Sequence, residues 1–96
     1  MSNTILNAVS LDDPSGICSN HSHALVIGVA LRSALSGVLT LNGVTNADGS
    51  PAAWTVSSGA SGFSAPPGTK QFWGAMSFSY ANPADAGKAV LIFQPL

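Results

Sequence analysis

Between residues 72 and 81 apolar and small residues alternate in the manner of a half-buried strand. Phe72, Met76, Phe78 and Tyr80 fall on one face with Gly74 among them, and Trp73, Ala75, Ser77 and Ser79 fall on the other. The same period of two runs through residues 37–44, where Leu39 and Leu41 oppose Val38, Thr40 and Asn42, and through residues 53–57, where Trp54 and Val56 share a side. Residues 89–93 close the chain as a β-branched, aromatic strand. Residues 24–31 form a continuous apolar run. Its β-branched residues and Gly28 favour a strand followed by a turn, although residues 30–36 are compatible with two helical turns that Gly37 would end.

Turn signals separate these runs. Asp48-Gly49 supplies a positive-φ position, residues 58–69 carry Gly59, Gly62, Pro66, Pro67 and Gly68 and read as a long loop, and residues 82–87 read as a turn or a single helical turn. About six short antiparallel strands joined in this way define an all-β domain, a small β-sandwich or barrel with at most one or two short helices, over residues 24–96.

The first 23 residues differ. Residues 4–11 offer a short strand, Asp12-Asp13-Pro14-Ser15-Gly16 is a turn signal, and residues 18–23 are polar without periodicity. Residues 1–23 are therefore expected to be an N-terminal arm or edge element outside the core. Their few large apolar side chains, Ile5, Leu6, Val9, Leu11 and Ile17, suit docking onto a neighbour by strand addition.

Composition sharpens the picture. Of 96 residues only 7% are charged, with a net charge of −1, against about 25% charged in an ordinary soluble domain. Arg32, Lys70 and Lys88 are too few to neutralise phosphates, so nucleic acid is an unsuitable partner. The polar surface must come from Ser, Thr, Asn and backbone, which tolerates close packing against another protein. Residues 24–41 are long enough to span a membrane, but Arg32 at their centre, beside Ser33 and Ser36, argues against insertion. Met1-Ser2-Asn3-Thr4 lacks the basic start of a signal peptide, and Asn20-His21-Ser22 matches a glycosylation sequon by a short motif alone.

Candidate chemistry is sparse. Cys18, His21 and His23 are the residues of metal-binding type, but three ligands leave a structural zinc site incomplete unless Asp12, Asp13 or a symmetry mate contributes. No metal and no cofactor are expected. Cys18 is the single cysteine, which excludes an intrachain disulfide. A nucleophilic triad lacks support: Ser61 misses the G-x-S-x-G spacing, and a Cys18–His21 pair three residues apart is geometrically possible but unsupported by any other motif. Four Asp in turn-like segments do not form a carboxylate pair for hydrolysis, and no phosphate-cradling glycine motif is present. The chain reads as a non-enzyme. Trp54 and Trp73 are ordinarily core residues; Trp73, opposite the apolar face of its strand, is also a candidate interface anchor or a sugar-stacking ring.

Residues 36–45 (Ser-Gly-Val-Leu-Thr-Leu-Asn-Gly-Val-Thr), the Asp48-Gly49 turn, Trp54-Thr55-Val56, the loop from Gly59 to Gly62 and the closing Ala84-Asp85-Ala86-Gly87-Lys88-Ala89-Val90-Leu91-Ile92 resemble small β-structured virion proteins of tailed phages. Capsid decoration (cement) proteins are the nearest group. The resemblance covers about residues 36–96. It implies a non-enzymatic homo-oligomer, a trimer by preference, bound to the major capsid protein on the outside of a capsid, with neither nucleic acid nor membrane as partner. Ile5, Leu6, Val9, Leu11 and Trp73 are the expected interface residues. The same facts fit a tail-fibre or receptor-binding component, or a small carbohydrate-binding module.

Overall fold

The computed structural model describes residues 6–96, which form eight antiparallel strands and one short 3-10 turn. The strands are β1 (Asn7–Leu11), β2 (Ser15–Ser19), β3 (Ala24–Leu31), β4 (Leu39–Asn46), β5 (Pro51–Val56), β6 (Gly62–Ser64), β7 (Lys70–Tyr80) and β8 (Ala89–Pro95). The 3-10 turn, Pro83–Asp85, lies between β7 and β8. The chain is all-β as its periodicity predicts, with two strands more than expected. β6 is three residues long, too short to show a period. β2 hides its alternation because its register against β7 shifts between Ile17 and Ser19, so that Cys18 and Ser19 are both buried.

The strand order is β1-β8-β3-β7-β4-β5, with β2 added to β7 and β6 added to β3. β7 pairs with β4 along one edge from Tyr80 to Lys70. Its other edge is shared, β3 taking Lys70 to Phe72 and β2 taking Met76 to Ser79. β3 divides its second edge in the same way between β7 and β6. The sheet therefore turns a corner at β3–β7 and becomes two layers, β1-β8-β3-β6 and β2-β7-β4-β5. The shortest dimension of the molecule, 21 Å, matches two sheets about 10 Å apart plus their outer side chains.

The alternating positions meet between the layers. Leu39, Leu41, Trp54, Val56, Phe72, Met76, Leu91 and Phe93 are buried there, and Phe72 of β7 packs edge-on against Phe93 of β8 at 5.4 Å. Such a T-shaped pair joins the layers with the ring edge of one on the face of the other.

β1 and β2 correct the expectation of an arm outside the core. Leu11 is fully buried, Cys18 is buried, and Val9 packs against the core. The Leu11 carbonyl accepts hydrogen bonds from the Gly87 N–H (2.8 Å) and from the Tyr80 hydroxyl (2.8 Å), which itself accepts from the Ala89 N–H (3.1 Å). Without β1 the inward residues of β8, Ala89, Leu91 and Phe93, would lose their neighbour on one side. β1 does stand at the end of the strand order, so it is an edge element that also builds the core. Thr4 and Ile5, the rest of the expected first strand, lie outside the described residues.

Within the 3-10 turn a buried carboxylate ties the loop after β3 to the turn before β8. Asp85 accepts from the Ser36 N–H (2.9 Å), the Gly37 N–H (2.9 Å) and the Lys88 ammonium (2.8 Å). Residues 30–36 are thus the end of β3 and a loop, not helical turns.

Candidate functional site: an uncharged apolar face and an exposed indole

The outward side of the β1-β8-β3-β6 layer is apolar over most of its area, and polar side chains border it: Ser10 on β1, and Gln94 and Gln71 on either side of Leu25. In register, Ser10 neighbours Val90, Val90 neighbours Ala30 and Ala30 neighbours Phe63, so one row crosses four strands. A second row runs from Ala8 through Ile92 to Gly28. Leu25, Ile27, Val90 and Ile92 are half-buried yet belong to neither the core nor the residues packed on it, which places them on this outer side. A bulge explains how β3 presents both faces: its register against β8 shifts between Val26 and Gly28, so Val26 and Val29 point inward and Ile27 is left outside. Phe63, 55% exposed, lies over this bulge, and a Cβ on Gly28 would sit 2.4 Å from its ring. The charges are at one end of the layer, where Arg32 and Asp12 approach to 4.0 Å in solvent.

The second site is at the corner. Two steps along β4, from Asn42 to Val44, span five along β7, from Ser77 to Phe72. The extra length bulges out as Trp73, Gly74 and Ala75, with Gly74 at φ 87° and Gly43 opposite at φ 86°. A Cβ on Gly43 would come within 2.6 Å of the Ala75 carbonyl oxygen, so the bulge and this glycine require each other. The Gly74 N–H donates to the His21 carbonyl at 2.8 Å. Trp73 is thereby held outward, 62% exposed, with the His23 ring stacked on it at 3.6 Å and 11°. His23 Nε2–H donates to Gln71 Oε1 at 2.6 Å.

Beside this corner an open cleft of about 590 Å³ separates the start of β1 from the end of β2. Leu6, Val9, Cys18, Ser19, His21 and Phe93 line it. His21 packs on Phe93 at 4.9 Å. The Asn7 amide donates to its Nε2 (3.4 Å), so Nδ1 carries the proton and donates to Ser19 Oγ (2.7 Å). In that tautomer His21 cannot take the Ser19 proton, and no carboxylate among the described residues bonds to it. Burial pushes the Cys18 thiol up to about 12, so it is neither a thiolate nucleophile nor a ready ligand at neutral pH.

The structure separates the residues of metal-binding type. His21 is held by Ser19 and Asn7, and His23 by Gln71 and Trp73; among the described residues no three of Cys, His and Asp gather as a metal group. Of the expected interface residues, Trp73 and Leu6 are exposed, Val9 is half-buried, Leu11 is enclosed in the core, and Ile5 lies outside the described residues. Leu11 is thus unavailable to a partner, because the alternation that brings Val9 inward continues to it. Trp54 is a core residue.

Sequence reasoning missed the partners Gln71, Asn7 and Ser19, and it missed the apolar face. A signal for the face exists: residues 24–31 and 89–93 lack polar alternation, so both sides of those strands are apolar while one core can cover one side.

Comparison with family models, curated proteins and solved structures found no match to this chain.

Proposed function

We propose that the protein is a non-enzymatic structural subunit that works by assembly. The observation that carries this reading is the uncharged apolar outer face of the β1-β8-β3-β6 layer. With strands about 4.8 Å apart and about 3.4 Å per residue, four strands present roughly 300 Å² there. Exposed apolar patches of about 300–600 Å² are often functional, and the arrangement of an apolar centre with Arg32 and Asp12 at its rim is that of a protein–protein interface. The buried, protonated Cys18 and the absence of a carboxylate bonded to His21 among the described residues support a role without covalent chemistry.

In its specific form, the protein is a decoration (cement) protein. It forms a homotrimer, binds the major capsid protein on the outside of a phage capsid and stabilises it. Support for this form comes from the resemblance of residues 36–96 and from a composition suited to dense packing of many neutral copies.

The test is light-scattering molar mass in solution, together with co-sedimentation on undecorated capsids. An oligomer that co-sediments and that Ile92→Asp disperses supports the proposal. A monomer that leaves capsids in the pellet alone overturns it.

A further inference from the structure

We propose that Trp73, His23 and Gln71 form a stacking subsite for a neutral pyranose ring. This rests on the corner of the fold and not on the apolar face.

An indole exposed to 62% on a glycine-hinged bulge is held out by specific contacts: the Gly74 N–H on the His21 carbonyl, and His23 against one ring face. His23 in turn is fixed by Gln71. The stacked imidazole covers one side of the indole and leaves the other to a ligand, on a plane whose orientation is set before binding. Preorganisation of this kind lowers the entropic cost of association.

The groups around the plane choose the ligand. A sugar ring presents an apolar C–H face that packs on an aromatic face, and hydroxyls at its rim that require directional partners. Gln71 Oε1 is occupied by His23, while its amide N–H groups have no partner among the described residues. His23 Nδ1 is the second polar atom at the edge of the stack. Ala75 and Gly74 next to the indole add at most a methyl group, and nothing lies within 4 Å of where a Cβ on Gly74 would be.

Charge excludes the competing planar ligand. A stacked nucleobase brings phosphates, and each of the three cations is engaged within the fold: Arg32 with the Gly87 carbonyl and Asp12, Lys88 with Asp85, and Lys70 with the Pro67 carbonyl. None is left to hold a polyanion. A protein partner is the other alternative, but the amide and imidazole at the rim of the indole suit hydroxyls, and the apolar surface that suits a protein ends at Leu25, beside Gln71.

Trp54 is buried and Trp73 is not, so indole fluorescence on addition of a ligand reads the corner. The probes are neutral malto-, cello- and chito-oligosaccharides at millimolar concentration, with a single-stranded oligonucleotide as the charged control. Saturable quenching or a blue shift with one neutral series, unchanged by added salt and lost in Trp73→Ala, is the expected result. Gln71→Ala should weaken it by about 5- to 10-fold, the loss of one or two hydrogen bonds. Circular dichroism confirms that the variants fold.

The proposal is overturned if no neutral oligosaccharide perturbs the emission, if the oligonucleotide alone does so, or if Trp73→Ala changes the molar mass or capsid binding in place of sugar binding. The titration repeated on Ile92→Asp separates the two readings, since that variant removes assembly and leaves the corner intact.

Discussion

Two rows of side chains cross four strands each on opposite outer faces of the molecule. On one layer the row is Ser10, Val90, Ala30 and Phe63. On the other it is Ser15, Ser79, Thr40 and Thr55. Neither row carries a charge, so the scarcity of charged residues has two different results within one small fold. Hydroxyls on the β2-β7-β4-β5 layer offer water its hydrogen-bond partners, with Ile17, 62% exposed beside Ser77, as the apolar exception on that face. On the opposite face the one hydroxyl of the row, Ser10, is engaged by Arg32 and Asp12, and covering the apolar remainder releases roughly 25 cal/mol per Å² of apolar area. A chain of net charge −1 has weak repulsion between copies to oppose that gain. On the proposed reading, the difference gives assembly to one face and solubility to the other.

The largest expected effect tests whether the apolar layer belongs to the fold. Leu11 fills the core from its outermost strand, so Leu11→Ala should cost about 2–5 kcal/mol of unfolding free energy by urea titration. A cost below about 1 kcal/mol would make β1 a detachable arm and take away one strand of the proposed docking face.

A paired substitution addresses the comparison itself. Ile92→Asp places a charge at the centre of the apolar face, and Thr40→Asp places one on the hydroxyl face. The first should raise the dissociation constant of the assembly at least about 10- to 100-fold, which corresponds to about 1.4–2.8 kcal/mol. The second should leave molar mass unchanged and move monomer stability by about 0.5 kcal/mol or less. Equal effects of the two would dissolve the distinction between the faces. Gly28→Ala should act on folding and on assembly together. Its Cβ would meet the Phe63 ring at 2.4 Å and the Ser64 carbonyl oxygen at 2.8 Å, forcing Phe63 and β6 outward. A loss of about 1–3 kcal/mol is expected for such overpacking, with weaker assembly because the flat cover over β3 is disturbed.

How legible each face was depends on what its pattern had to hide. β7 shows both of its faces in the sequence, because Ser77 and Ser79 alternate with Met76, Phe78 and Tyr80. β3 and β8 read as strands, but their outer faces do not show, since Val90 and Ile92 look no different in sequence from Leu91 and Phe93. Which side faces the core is set by pairing with β1, β6 and β7, a long-range property. The bulge at Ile27 further changes the parity midway along β3, and no local signal except Gly28 marks it. At the corner, Trp73 stands out from the alternation of its own strand. Its partners His23 and Gln71 meet because Ala24 pairs with Phe72 and Leu25 with Gln71, a register fixed only when the two layers close.

The smallest expected effect concerns pH. Neither outer row contains an ionisable side chain, so assembly through the apolar face should vary little between about pH 5 and 9. Folding stability should respond to acid through Asp85. The Lys88 ammonium at 2.8 Å, above all, and the Ser36 and Gly37 N–H groups hold its carboxyl well below the ordinary value of 3.8, with burial acting in the opposite sense. A carboxylate whose folded value is depressed contributes stability that is fully present above the unfolded value and is lost as pH falls through the folded one. Thermal midpoints should therefore be level down to about pH 5 and fall below pH 4. Asp85→Asn removes the titrating group, so it should start from a lower midpoint and show a shallower decline in acid. If acid dispersed the oligomer at a pH where circular dichroism still reported a folded chain, a titrating contact would have to lie within the interface. The uncharged face would then not be the surface that holds the subunits together.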